Sequence, residues 1–181
     1  MNSPQENKIP IKYDGRVQIS TGRSRFEKKW KNKTMPWSVL VAKLHNPVVT
    51  PETYAEYKKM SKSDQDNIKD VGGYVGGSLV DGRRSAGTVA GRQIITLDLD
   101  FAPADYFDDL ELLSNYAACT YSTHKHSDST PRYRLLIPLD RVVTPEEYEA
   151  IARKIAEDIG IEYFDDTTYQ PSRLMYWPST S

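Results

Sequence analysis

The second half of the chain carries secondary-structure signals in an order that few folds accommodate. Hydrophobic periodicity predicts strands at 93–101, 116–122, 132–139 and 173–178 and helices at 102–116 and 145–159. The second helix is the most clearly marked, because Thr144 and Glu147 form a capping box around Pro145. Gly160 ends it. The order strand, helix, strand, strand, helix, strand predicts a split β-α-β, or ferredoxin-like, sheet of the kind found in RNA-recognition domains.

The whole chain is therefore expected to adopt an α+β fold. With 181 residues, 38% of them hydrophobic, it is long enough to bury one core. In the first half, Thr50 and Pro51 predict the start of a helix, and "GGYVGGSL" at 72–79 predicts a strand. We expect a flexible N terminus and one domain of two lobes, with the ranges 1–14 for the terminus, 15–92 for an N-terminal α/β lobe and 93–181 for the RRM-like lobe.

Composition excludes several classes of protein. The chain has 24 basic and 25 acidic side chains, so no global field draws it to nucleic acid or to a membrane surface. No apolar stretch approaches the ~20 residues of a spanning helix, and the N terminus has no signal-peptide pattern, so we expect no membrane partner and a cytoplasmic protein. A single cysteine, Cys119, fits a reducing compartment, and one Cys with three His predicts no structural zinc site.

Two carboxylates interrupt the apolar strand "QIITLDLDF". Side chains alternate along a strand, so Leu97, Leu99 and Phe101 are expected on one face, and Asp98 and Asp100 on the other. The two aspartates would be about 6.5 Å apart, close enough to converge on one cation. Because an unpaired buried carboxylate pair is heavily penalised, we expect a metal or basic partners beside them.

The predicted sheet brings other polar residues to the same place. In a ferredoxin-like sheet the strands lie in the spatial order fourth, first, third, second. The carboxyl ends of the first and second strands and the amino ends of the third and fourth strands therefore meet at one edge of the sheet. That edge would gather Asp98, Asp100, Ser122, His124, Arg132, Arg134, Asp165, Asp166 and Arg173. Carboxylates suit Mg²⁺ or Mn²⁺, and arginines neutralise phosphates. The pattern predicts a metal and nucleotide site.

Three short motifs carry a resemblance to a known family. "LDLD" at 97–100, "STH" at 122–124 and "FD" at 164–165 resemble the hydrophobic-Asp-hydrophobic-Asp, Ser-x-His and hydrophobic-Asp motifs of archaeo-eukaryotic primases and primase-polymerases. The amino-acid sequence of the second half is similar to that of the N-terminal primase domain of phage and mobile-element replication proteins. The resemblance covers residues 70–181 well and 15–70 more loosely, and it implies the archaeo-eukaryotic primase fold.

What the resemblance implies is a nucleotidyltransferase that joins nucleotides on a DNA template. Asp98, Asp100 and Asp165 would hold two Mg²⁺ or Mn²⁺ ions, and His124 would contact the incoming nucleoside triphosphate, either ribo- or deoxyribonucleotide. Asp166 stays an alternative to Asp165, although Phe164 before Asp165 fits the motif better. The other nucleotide-binding residues would be Ser122, Lys125, Arg132, Arg134 and Arg173. A helicase domain or protein often accompanies such domains in phage and mobile-element replication.

A basic stretch near the N terminus is a candidate for the template. Residues 16–33 carry seven basic side chains against Glu27 alone, with Phe26 and Trp30 interleaved. The stretch is either a solvated face or a contact surface for single-stranded DNA. The candidate DNA-binding residues are Arg23, Arg25, Lys28, Lys29, Arg83 and Arg84.

Two other functions stay open on the sequence. A rolling-circle (HUH-type) nuclease would use His124 and His126 as metal ligands and a tyrosine as nucleophile, with Tyr148, Tyr163 and Tyr169 as candidates. Against it, Lys125 stands where a hydrophobic residue is expected. A catalytically inactive nucleic-acid-binding module is the second alternative, but RNA-recognition domains need aromatic platforms on the strands that here carry aspartates and arginines.

Overall fold

The computed structural model describes residues 11–12, 14–103, 105–113 and 116–181, so the flexible N terminus expected over 1–14 lies mostly outside the described residues. The strands are β1 (Arg16–Gly22), β2 (Lys31–Pro36), β3 (Val48–Val49), β4 (Gly73–Val75), β5 (Gly77–Leu79), β6 (Val89–Leu99), β7 (Cys119–Ser122), β8 (Tyr133–Val143), β9 (Met175–Tyr176) and β10 (Ser179–Thr180). The helices are α1 (Trp37–Leu44), α2 (Tyr54–Lys59), α3 (Lys62–Ile68), α4 (Tyr106–Leu113) and α5 (Pro145–Ile159). The predicted α+β class is confirmed.

Two four-stranded antiparallel sheets form the framework. The first has the order β2-β1-β4-β9, and the second has the order β5-β6-β8-β7. A short parallel pair, β3 with β10, joins the end of α1 to the last residues of the chain. In the second sheet β6, β8 and β7 are neighbours as the ferredoxin-like pattern predicts, because hairpin β7–β8 folds back onto the long strand β6.

The predicted fourth strand of that sheet is wrong. Residues 173–178 were expected beside β6, but β9 pairs with β4 in the first sheet, and β5 takes the place next to β6. Beyond β5, an irregular segment forms hydrogen bonds with the end of β6. The Asp165 amide donates to the Asp98 carbonyl at 3.0 Å, and the Asp98 amide donates to Thr168 Oγ1 at 2.8 Å. Since these bonds already satisfy the edge of β6, 173–178 is free to pair elsewhere.

The strand predicted at 72–79 is divided at Gly76 into β4 and β5, one in each sheet. The Gly76 carbonyl accepts from the Gln93 and Ile94 amides, both at 3.0 Å, and from Arg92 Nε at 3.1 Å. A Cβ at Gly76 would lie 2.7 Å from the Ile94 carbonyl oxygen, so only glycine allows this close crossing. The boundary expected between 92 and 93 therefore does not separate the two sheets, because each takes one strand from the other half of the chain.

Both faces of β6 are buried. On one face Ile95, Leu97 and Leu99 pack against α5. The hydrophobic repeat of α5 predicts a buried face of Tyr148, Ile151, Ile155 and Ile159; Tyr148 is buried, the three isoleucines are partly buried against the same core, and the fully buried positions beside Tyr148 are Ala152 and Ala156. On the other face Ile94 belongs to a second core. That core includes Val17, Ile19, Leu40, Leu44, Tyr74, Tyr121, Leu136 and Met175. The sheet that positions the candidate site is thus fixed from both sides.

Several predicted boundaries move. The helix expected from Thr50 begins at Tyr54, because Thr50 bonds Thr180 in the β3–β10 pair and Thr53 forms the capping box with Glu56. Strand β6 ends at Leu99, so Phe101 is exposed rather than packed on the inner face. Helix α4 begins three residues after Pro103, and helix α5 has the predicted Thr144 cap and Gly160 terminus.

Candidate active site

A cleft of about 460 Å³, called here the central cleft, opens where the two sheets meet. Its lining combines the ends of β6 and β8, the hairpin loop after β7, helix α3 and the segment from 165 to 179. The charged side chains in the lining are Arg25, Lys62, Lys69, Arg84, Lys125, Arg132, Arg134, Arg173, Asp66, Asp98, Asp100 and Asp165. Eight cations thus face four carboxylates, so the cleft carries an excess of positive charge in spite of its aspartates.

Arginines occupy all three candidate catalytic carboxylates. Arg134 Nε donates to Asp98 Oδ1 at 3.0 Å, and Arg132 Nη1 lies 2.6 Å from Asp100 Oδ1. Arg173 is shared, with its Nη2 at 3.8 Å from Asp98 and 3.5 Å from Asp165. The predicted convergence of acidic and guanidinium groups is therefore what the fold produces, through β6, β8 and the 165–173 segment.

The Arg134–Asp98 pair is the most deeply placed of these contacts. Both side chains are about one-tenth exposed, and Arg134 also donates to the Tyr176 carbonyl at 3.0 Å. Burial alone would lower the pKa of Arg134, but Asp98 and Tyr121 outweigh it and raise that pKa. Since the pair is directly opposite in the β6–β8 register, the strand pairing itself fixes the contact.

Asp165, rather than Asp166, lines the cleft. Asp166 is exposed and starts a short 3₁₀ turn that Asp165 caps through its bond from the Thr167 amide at 2.7 Å. Burial opposes ionisation of Asp165, but the hydrogen bonds from Thr167 and the charge of Arg173 prevail and lower its pKa. In this cap, Asp165 Oδ2 lies 3.5 Å from Arg173 Nη2.

His124 lies at the wall of the cleft with both ring nitrogens engaged. Its Nε2 is 3.0 Å from Glu52 Oε1, and its Nδ1 is 3.0 Å from Ser179 Oγ. The Tyr57 ring packs against the imidazole with centroids 4.4 Å apart. Burial lowers the pKa of His124, although Glu52 pulls it the other way, so the neutral ring donates from Nε2 to the carboxylate and accepts at Nδ1.

Glu52, which sequence reasoning missed, is a buried carboxylate in its own right. Burial tends to raise its pKa, but hydrogen bonds from Thr50, its own backbone and His124 lower it. Its Oε1 also accepts from the Thr50 hydroxyl at 2.7 Å, and its Oε2 has no hydrogen-bond partner among the described residues. No spacing rule connects residue 52 with 124, because the contact arises from the β3–β10 pairing.

Two other predicted nucleotide ligands differ in placement. Lys125 lines the cleft, where burial and the charge of Lys69 lower its pKa. Ser122 is exposed at the end of β7 and is outside the cleft lining; the next residue, Thr123, takes that place. Lys62, at the start of α3, and Lys69, directly after its end, were also missed, although Ser61 followed by Asp64 is a helix-capping signal that marks the start of α3.

The six candidate DNA-binding residues do not form one surface. Arg25 and Arg84 line the central cleft, Arg23 and Lys29 line a second groove, and the exposed Lys28 and Arg83 lie outside both. Of the interleaved aromatics, Phe26 is exposed, but Trp30 is only 3% exposed and packs beneath Gly22, so it cannot stack on a base.

The donor chemistry of the cleft suits a hard divalent ion, but its packing does not gather a ready cluster. Within the described ranges, no three His, Cys, Asp or Glu side chains are grouped so that they could hold a metal. Asp98, Asp100 and Asp165 supply only oxygen donors. A metal would therefore require each carboxylate to exchange an arginine for the ion.

The cysteine of the chain, Cys119, is not among the residues that line the central cleft. Burial raises the pKa of the Cys119 thiol to about 11, which keeps it protonated and inert as a partly buried core residue. Across the described residues, no helix is long and apolar enough to cross a membrane.

Comparison with known proteins supports a family assignment. The family described as the VapE N-terminal domain matches residues 2–181. Among solved structures, the AEP domain of the primase-polymerase of cyanophage S-2L is similar, with a TM-score of 0.46 and 14% identity over 89% of this chain and 71% of that chain. The comparison with curated proteins gives no match.

Proposed function

The chain belongs to the VapE N-terminal domain family, and from that premise we propose that it is a nucleotidyltransferase of the DNA primase-polymerase type. The resemblance drawn from the sequence motifs, to an N-terminal domain of phage and mobile-element replication proteins, is confirmed at the level of the family. The proposal concerns the reaction: joining nucleotides on a single-stranded DNA template during phage or mobile-element replication, together with a helicase domain or protein.

One observation carries the proposal. Three carboxylates and three arginines from separate segments meet in one cleft that has an excess of positive charge. Such a cleft suits a polyphosphate, because arginines form strong charge-assisted bonds to phosphate oxygens. In the proposed bound state Arg132, Arg173 and Lys125 contact the phosphates of a ribo- or deoxyribonucleoside triphosphate.

The carboxylates released by those arginines are the proposed metal ligands. Asp98, Asp100 and Asp165 would hold Mg²⁺ or Mn²⁺, which supplies charge neutralisation at the reacting phosphate and activation of the attacking hydroxyl. Arg134 is too deeply placed to leave, so its proposed role is to hold Asp98 in position. We keep His124 as a proposed triphosphate ligand, which requires its Nε2 to exchange the Glu52 hydrogen bond.

Primer extension tests the proposal. Purified protein is incubated with a primed single-stranded DNA template, labelled nucleotides and Mn²⁺ or Mg²⁺. We expect extension by the wild type and its loss in D98A and D100A, with folding checked by circular dichroism. The matched control is D166N, because Asp166 is exposed and outside the cleft. Extension retained in both cleft variants would refute the site.

The nuclease alternative has little support in the geometry. His124 and His126 have different partners, since His126 Nδ1 accepts from the Arg132 amide at 3.2 Å while His124 bonds Glu52 and Ser179. Of the candidate nucleophiles, Tyr148 and Tyr169 are buried. Detection of a covalent tyrosine-DNA adduct would nevertheless establish the nuclease and overturn our proposal.

The binding-module alternative meets a different objection. An RNA-recognition sheet binds bases on an open face, whereas β6 and β8 are covered on both faces. A titration of nucleoside triphosphate with Mn²⁺ separates the two functions. No binding at millimolar nucleotide would favour the inactive module.

A further inference from the structure

A second concave surface lies beside the central cleft and is called here the lysine groove. It has a volume of about 800 Å³. The charged side chains of its lining are Arg23, Lys29, Lys31, Lys33, Lys43 and Glu27. Five cations therefore face one carboxylate, although the chain as a whole has a net charge of -1. The segregation of positive charge to this groove indicates an anionic ligand.

Most of these cations have no acidic partner among the residues that the structure describes. Arg23 bonds Glu27 at 3.1 Å, which uses the carboxylate of the groove. None of the ten ion pairs found in the described part of the chain involves Lys29, Lys31, Lys33 or Lys43. Lysines without carboxylate partners keep their full attraction for phosphate groups.

The lysines are spread along the groove rather than gathered at one position. Lys31 and Lys33 are alternate residues of β2, opposite Thr21 and Ile19 of β1, so they share one face and lie about 6.5 Å apart. Lys43 of α1 supplies a further cation to the lining. A row of this kind suits a chain of phosphates better than a single phosphate, because successive charges can contact successive backbone groups.

An aromatic side chain joins the groove to the central cleft. Trp177 is part of both linings, is half-buried and packs on Tyr74 with ring centroids 4.7 Å apart. Lys43 Nζ lies 4.4 Å from the Trp177 ring centre, so a cation is already held over the indole. Proteins that bind single strands combine such a basic track with aromatic rings on which bases stack.

We propose that the lysine groove binds an extended single strand of nucleic acid and leads it past Trp177 into the central cleft. This deepens the proposed function, on which the template role of the strand rests, but the binding itself is separate from catalysis. Double-stranded DNA is disfavoured as the ligand, since a base that takes the place of Lys43 over the Trp177 ring must be unpaired.

The test is fluorescence anisotropy of end-labelled oligo(dT) with the full chain in EDTA, at several salt concentrations. We expect K31A/K33A to weaken binding about tenfold or more. Its slope of log association constant against log salt should fall in magnitude by about 1.4, because each phosphate contact on a single strand contributes about 0.7. The matched control R141A/K154A removes two exposed cations that each have a carboxylate partner, and it should leave both quantities unchanged.

Three outcomes would overturn the proposal. The first is a salt slope for K31A/K33A equal to that of the control. The second is duplex DNA binding more tightly than oligo(dT), and the third is an abasic oligomer of equal length binding as tightly as oligo(dT), which would remove the route past Trp177. Because EDTA excludes metal-dependent chemistry, failure of primer extension with intact groove binding would refute the proposed function and leave this inference standing.

Discussion

Replacement of Arg92 by methionine tests the physical account of how the central cleft is held together. Arg92 is fully buried, and its guanidinium bonds no carboxylate among the described residues. It donates to the carbonyls of Gly76, Ile94 and Pro171 and to Thr96 Oγ1. The bond to Pro171 ties β6 to the segment that carries Arg173 into the cleft.

The expected cost follows from what the variant leaves unpaired. The Gly76 carbonyl keeps two amide donors, but the Pro171 carbonyl loses its bond from Arg92, which costs about 1–3 kcal/mol. The Tyr148 ring, whose centre is 3.8 Å from the guanidinium carbon, loses a desolvated cation–π contact of about 2 kcal/mol. Because methionine fills much of the same space and removes a buried charge, we expect a net loss of about 3 kcal/mol in the free energy of unfolding.

Urea denaturation followed by tryptophan fluorescence measures this loss. With a slope of about 2 kcal/mol per molar urea, the midpoint should fall by about 1.5 M. The control R141M removes an exposed arginine and should change the free energy of unfolding by less than about 0.5 kcal/mol. A midpoint for R92M equal to that of R141M would refute the role given to Arg92.

Three further predictions concern the cleft. Burial lowers the pKa of His124 below its unfolded value of 6.5, so the stability that its neutral form contributes is present above pH 6.5 and is lost as pH falls. The urea midpoint should therefore decline from pH 7 to pH 5 in the wild type and decline less in H124Q. R173A should weaken metal-free binding of a nucleoside triphosphate at least tenfold by calorimetry, and unchanged affinity would count against the phosphate role of Arg173. D165N should abolish primer extension, whereas D166N should retain it, and the reverse result would identify Asp166 as the third carboxylate.

Local signals made much of the second half predictable from sequence. The capping box at Thr144, the periodicity of α5 and the hairpin β7–β8 depend on residues close in the chain, and the structure has them as expected. Asp98 and Arg134 were expected at the same edge of the sheet, and the structure places them directly opposite each other in the β6–β8 register. Such features need only periods of 2 and 3.6 and short turns.

The features that sequence reasoning missed depend on long-range pairing. The move of β9 to the first sheet follows from the crossing at Gly76, where a glycine carbonyl accepts three bonds. The Glu52–His124 contact joins residues 72 positions apart. Neither feature has a local sequence pattern, because each depends on which distant segment of the chain forms the contact.

A crystal structure with a non-hydrolysable nucleoside triphosphate and Mn²⁺ tests the central claim most directly, since anomalous scattering locates the metal. We predict Mn²⁺ bound by Asp98, Asp100 and Asp165, with Arg132 and Arg173 moved from the carboxylates to the phosphates. A triphosphate outside the central cleft, or one inside it with all three carboxylates still paired to arginines and no Mn²⁺ signal beside them, would contradict the account.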